Sequence, residues 1–314
     1  MRRTTPGVAG AALLLAALVA WTAPARPQAQ APSFMPIDDV RPGMTGIGRT
    51  VFAGDTIEEF QVHVIGVLRN VVGPRRDLIL ARLEGGPIAT AGVIQGMSGS
   101  PVFINGRLVG AVSYALGSFP KEPLAGITPI AEMIDAVRLP SPVRASDLGV
   151  QWPATPASVF GAIQRLTNRV RAPLGRPPSD LRVVGPASLE DLAPTLRPIG
   201  AAMVVSGFDP AVNRDLQSAL GQSVDGQAPA SPARGAAAPP TLRPGDAVGM
   251  SMIRGDLEMG ATGTVTYVDG NRVYAFGHPF LNLGPASYSM TRARVFTILP
   301  SLDTSMKIAT LGPV

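Results

Sequence analysis

The sequence contains no cysteine, only two histidines, and aromatic residues at just 5%. Each scarcity excludes something. Without cysteine there is no disulfide framework, no thiolate zinc site and no lipid attachment at a processed amino terminus. The two histidines, His63 and His278, are far apart, and the carboxylates show no metal-ligand spacing. No metal and no other cofactor is therefore expected. Gly43-Met44-Thr45-Gly46-Ile47-Gly48 is glycine-rich, but no Lys-Ser/Thr follows and no long helix opens there. It reads as a tight turn at a strand start rather than a phosphate loop. After the first thirty or so residues, no segment reaches the ~20 apolar residues needed to span a bilayer.

The amino end carries a recognisable order. Arg2 and Arg3 precede an uncharged apolar run from Val8 to Trp21, and Ala23-Pro24-Ala25 and Ala29-Gln30-Ala31 follow as small-residue cleavage motifs. Positive charge, hydrophobe and small residues in that order predict a secretory signal over residues 1–31, with an uncleaved anchor as the alternative. The mature protein is then exported, to the periplasm or outside the cell. Residues 1–31 hold three arginines and no acid, so their removal takes the net charge from +5 to +2. The remaining basic residues are scattered singly, which gives no footprint for nucleic acid.

What is abundant is glycine (35) and proline (32), the composition of turn-rich β structure. Residues 35–140 read as one β domain of short strands. Within it, Pro101-Val102-Phe103-Ile104, the turn Asn105-Gly106 and Leu108-Val109-Gly110-Ala111-Val112 form the clearest hairpin in the chain. Thr128-Pro129 starts a short helix running to Val137. Residues 141–221 are a mixed α/β segment, with a surface helix expected over 158–170 and strands at 181–184 and 202–205. Residues 222–243 read as a disordered, low-complexity linker. Strands return over 244–314, at Ala247–Ile253, Gly263–Val268 and Arg272–Phe276. This last segment reads as a second barrel cut short at Val314.

The chemistry concentrates in Gly96-Met97-Ser98-Gly99-Ser100-Pro101. A serine hydroxyl is a weak nucleophile and needs a base beside it, commonly histidine. It also needs amide hydrogens aimed at the oxyanion that forms on the attacked carbonyl. Glycines on both sides of Ser98 allow a sharp turn and a close approach, which would point the Gly96 and Ser98 amides into one pocket. Glycine, serine and proline also make ordinary turns, so the motif alone does not decide. Of the histidines, His63 sits inside an alternating strand, whereas His278 lies in a Gly-His-Pro turn at a strand end. Strand ends are a common place for a base.

Gly92–Pro101 followed by Asn105–Val112 closely resembles the nucleophile segment of the SpoIVB peptidase family, chymotrypsin-like serine peptidases. Ile57–Ile65 is similar to the strand that family carries upstream, and Gly263–Val268 with Phe276-Gly277-His278-Pro279 resembles its histidine segment. The resemblance implies a mainly β fold of chymotrypsin-like barrel halves with short helices. It implies Ser98 as nucleophile, His278 as general base, and the Gly96 and Ser98 amides as oxyanion hole. For the orienting acid it offers Glu84, about one residue out of register, or Asp77. In the family the histidine segment precedes the serine segment, and here the order is reversed. Either the barrels are circularly permuted, or His278 belongs to a second unit whose serine half lies beyond Val314.

The function expected is a secreted or periplasmic serine endopeptidase acting on a protein or peptide substrate. The loop from Ser113 to Pro123 is the expected contributor to its substrate pocket. Two alternatives stand beside it. One is a catalytically inactive module of the same fold that binds a cell-envelope protein, and the other a purely structural β protein.

Overall fold

The computed structural model describes residues 33–73, 76–117, 120–136, 196–212, 214–215, 241–279 and 287–313. The predicted signal segment, the helix at 158–170, the strand at 181–184 and nearly all of the predicted linker fall outside these residues.

Seven strands build the first sheet: β1 (Thr45–Val51), β2 (Ile57–Gly73), β3 (Arg76–Glu84), β4 (Pro101–Ile104), β5 (Arg107–Leu116), β6 (Leu124–Pro129) and β7 (Leu196–Pro198). Their order is β4-β1-β2-β3-β6-β5-β7, and β4 also pairs with β5. That last pairing closes six of the strands into a barrel, with β7 added outside on β5. Closure removes the free edges that an open sheet would leave exposed. The interior is filled by the inward side chains of an alternating pattern, among them Phe60, Val62, Ile79, Leu83, Ile104 and Ile127.

The local signals act where they were read. Asn105 and Gly106 both take positive φ (51° and 74°), as a two-residue turn between right-twisted strands requires. Gly43, at φ 84°, makes the turn immediately before β1. Helix α2 (Ile130–Ala136) follows Pro129 and presses Ile130 and Met133 onto Leu108 and Ala111. A shorter helix, α1 (Ile88–Ala91), unread in the sequence, leads into the serine turn. β5 runs four residues beyond its expected end, so Ser113–Leu116 are strand rather than pocket loop.

Six further strands make the second sheet: β8 (Ala202–Ser206), β9 (Ala247–Ile253), β10 (Glu258–Asp269), β11 (Arg272–Ala275), β12 (Ser289–Leu299) and β13 (Met306–Leu311). The order is β11-β10-β9-β12-β13, with β8 also on β10. Asp269 pairs with Arg272 across a two-residue loop led by Gly270 at φ 58°.

The two sheets share their cores. Val51 of the barrel packs with Ala247, Ala293, Val295 and Ala309. On another face Leu108 and Ala111 pack with Tyr274. Residues 33–314 accordingly form one compact unit. The histidine segment thus lies on the unit that holds the serine.

Candidate active site

Ser98 sits in the turn between α1 and β4. Four hydrogen bonds close this turn on itself and on β5. The Met97 amide donates to Ile94 O at 3.0 Å, and the Ser100 amide to Met97 O at 2.9 Å. Gly99 and Val112 tie it to the barrel, as Gly99 N→Val112 O (2.8 Å) and Val112 N→Ser100 O (2.9 Å). Gly99 has φ 95°, and a Cβ there would meet Thr264 O at 2.0 Å and Phe276 N at 2.4 Å. Only glycine permits both the backbone angle and that approach.

The second sheet holds the turn from the other side. Thr264 N donates to Ser98 O at 2.8 Å, Thr264 Oγ1 to Gly96 O at 3.0 Å, and Thr266 Oγ1 to Gly99 O at 2.6 Å. β13 and the residue before it add Gln95 N→Ser305 O (2.8 Å) and Lys307 N→Gln95 O (3.0 Å).

These bonds orient the two amides expected to form the oxyanion hole. In a planar trans peptide the C=O and N–H point in opposite directions. Lys307 N holds Gln95 O, so the Gly96 N–H points away from β13. Met97 O accepts from both Ser100 N and Ser100 Oγ (2.6 Å), which turns the Ser98 N–H the other way. Among the described residues neither amide donates to a protein acceptor. Two oriented, unused N–H groups beside a serine are what a developing oxyanion needs.

Ser98 is fully buried, and its hydroxyl donates to the carbonyl of Phe276. Phe276 takes φ 66°, rare for a bulky residue. Gly277 N bonds back to Ala275 O at 2.8 Å, a tight three-residue turn of a strained kind. This turn carries His278, which is two residues from the carbonyl that Ser98 touches. His278 Nδ1 lies 3.0 Å from Pro279 O, and Nε2 is buried without a hydrogen-bond partner. Burial holds the imidazole below its ordinary pKa, outweighing the carbonyls of Pro279 and Ile199, which favour the charged ring. At neutral pH the ring is uncharged and able to accept a proton.

The carboxylates go elsewhere. Glu84 lies 3.3 Å from His63 Nε2 and 3.2 Å from Arg82 Nε. Its carboxylate therefore meets a different histidine from the one the sequence reading paired it with. Asp77 is tied to Arg69 at 2.7 Å and to the Asn70 amide at 2.8 Å. Among the described residues no group of three or more His, Asp or Glu is placed to hold a metal ion.

The sequence reading missed three polar residues under the turn: Thr50, Thr264 and Lys307. Lys307 is 3% exposed, and its Nζ donates to Thr50 Oγ1 at 2.7 Å. The signal available was a lone lysine inside the apolar stretch Met306-Lys307-Ile308-Ala309, where a surface strand would alternate polar and apolar residues.

No curated protein and no solved structure matches the chain. A family model does: residues 23–133 match SpoIVB peptidase S55. The match spans the barrel strands, Glu84 and the Ser98 turn, while His278 lies outside it. Over residues 23–133, which hold the serine segment, the chain is thus similar to the SpoIVB peptidase family.

Proposed function

We propose that the protein is an exported serine endopeptidase in which Ser98 is the nucleophile, His278 the general base, and the Gly96 and Ser98 amides the oxyanion hole. The observation that supports this most is the packing of the Phe276–His278 turn on Ser98, across 180 positions of sequence. The family match supports a SpoIVB-type serine peptidase, and with it protein or peptide substrates. Export rests on the residue order of the segment 1–31.

The reaction follows the acyl-transfer pattern. Rotation about the Ser98 Cα–Cβ bond turns the hydroxyl proton from the Phe276 carbonyl towards Nε2 of His278. Oγ bonds to the carbonyl carbon of the scissile peptide as Nε2 takes its proton, and the oxyanion settles on the Gly96 and Ser98 amides. His278 then protonates the leaving amine. Water, deprotonated by the same imidazole, attacks the acyl carbon; the C–Oγ bond breaks as the imidazolium returns the proton to Ser98 Oγ, and the acid product leaves. With Glu84 engaged by His63 and Arg82, backbone carbonyls are what orients the His278 ring in this scheme.

One feature favours the second reading, an inactive envelope-binding module: Ser98 is closed in by Phe276 and has no exposed surface. An alkyl fluorophosphonate separates the two. It is expected to label the wild-type protein on Ser98 and to leave Ser98→Ala unlabelled. Absence of label on a folded wild-type protein would remove the peptidase reading.

A further inference from the structure

Lys307 is one of two lysines in the chain, and unlike the exposed Lys121 it is buried beneath the serine turn. Among the described residues no acidic side chain pairs with it. Burial alone lowers its pKa from 10.5 to about 7. An amine held in such a place works against folding unless its hydrogen bonds offset the burial.

The contacts form a directed chain. Thr264 Oγ1 donates to Gly96 O, a carbonyl that only accepts. A hydroxyl has one proton, so in the 3.2 Å contact between Thr264 and Thr50 it is Thr50 that donates. The single Thr50 proton being used, Lys307 Nζ must donate to Thr50 Oγ1, at 2.7 Å. The direction is Lys307→Thr50→Thr264→Gly96 O, whether the amine is charged or neutral. Lys307 also reaches the other side of Gly96 through its own main chain, donating to Gln95 O. Its methylenes cover the glycine: a Cβ at Gly96 would stand 3.0 Å from Lys307 Cδ. Both peptide planes that meet at Gly96, where φ is 90°, are therefore held by one residue.

We propose that Lys307 is a positioning residue for the oxyanion hole, acting through Thr50 and Thr264 to lock the Gly96 backbone so that its amide faces the reacting carbonyl. The inference rests on the peptidase reading of Ser98. The Thr50 and Thr264 hydroxyls act on the turn through Gly96 O, while the Thr264 main chain bonds separately to Ser98 O and to the Phe276 amide. The role is not that of a base, because the Ser98 hydroxyl bonds to Phe276 and the amine is committed to Thr50.

The test is the kinetics of Ser98 phosphonylation by a fluorophosphonate in the full chain, in which Oγ bonds to phosphorus and fluoride leaves, separating the limiting rate from the half-saturating concentration, with thermal melting as the folding check. Direct loss of one oxyanion donor costs about 10²–10³ in rate. Loosening it through a relay is expected to cost roughly tenfold. Lys307→Met and Thr50→Val should each lower the limiting rate by that factor with half-saturation within twofold of wild type. Thr50→Ser, which restores the hydroxyl, should recover the rate. The double variant should lose no more than either single one, because the three groups act in series. Folded Lys307→Met or Thr50→Val protein that takes the label at the wild-type rate overturns the inference, as does a double variant whose losses multiply. Should Lys307→Met not fold, Thr50→Val carries the test. A wild-type protein that takes no label overturns the peptidase reading and this inference together, whereas a labelled wild type with unaffected variants overturns this inference alone.

Discussion

The Ser98 hydroxyl donates to the main-chain carbonyl of Phe276, two residues before His278. This bond joins a turn of the barrel to a turn of the second sheet and brings the histidine segment onto the serine turn despite their reversed order in the chain. Chain order is irrelevant to a nucleophile and its base, which are defined by their positions in space. Between the two expected arrangements, permuted barrels and a missing second unit, the packing of Phe276–His278 on Ser98 favours the first.

The turn itself should be intolerant at Gly99. An alanine there combines a left-handed backbone angle with a Cβ 2.0 Å from Thr264 O. Gly99→Ala is expected to cost about 3 kcal/mol or more, since backbone must move. Denaturant unfolding of the variant against wild type checks this, and a difference below 1 kcal/mol would show the approach to be slack.

Met97 faces inward at the same turn and is wholly buried in the barrel core. Met97→Ala removes the side chain without touching a polar contact. A loss of about 2–5 kcal/mol is expected, the range for a large-to-small change in a packed core. Part of the acylation rate should fall with it, because the nucleophile follows in the next position.

The pH profile should reflect the buried histidine. Burial lowers the His278 pKa from 6.5, so the neutral ring survives into mildly acid solution. Acylation of Ser98 is expected to lose half its rate at a pH below 6.5, not above it. Stability follows the same sign. In the window between the lowered folded value and 6.5 the unfolded chain binds the proton first, so His278 makes the fold less stable as pH falls through it. A rate midpoint above 7 would exclude His278 as the base.

Lys307 gives an alkaline counterpart. Its folded pKa is about 7 and its unfolded value 10.5, so between these the unfolded state holds the extra proton and wild-type stability rises with pH. Lys307→Met lacks this dependence. The stability of the variant relative to wild type should therefore fall as pH rises from 7 towards 10.5, by about 1.4 kcal/mol per pH unit at most. A difference independent of pH would mean that the amine is solvated.

Much of the barrel was legible because local signals and tertiary demands agree there. Asn105-Gly106 can scarcely do anything but turn, and Ala247–Ile253 becomes a strand with those bounds. β12 was not legible. Arg292 and Arg294 interrupt its apolar residues, and their partners Asp246 and Asp55 come from remote parts of the chain. The carboxylates were harder still. Glu84 pairs in register with Gln61, which makes His63 its diagonal neighbour across β2 and β3, and a one-residue change of register would move it to the other face. Register is a property of the folded sheet, not of spacing along the chain. Lys307 was hidden for a related reason: a lysine in a strand ordinarily faces water, and only the second sheet's packing on the serine turn buries this one.

In the proposed reaction Ser98 and His278 work as one site. The most direct test is fluorophosphonate labelling of two histidine variants beside the wild type, with the modified residue located by mass spectrometry of the peptide that contains Ser98. His278→Ala should abolish labelling, while His63→Ala, which disturbs only the contact with Glu84, should label at close to the wild-type rate. Loss of label in His63→Ala with retention in His278→Ala would contradict the account.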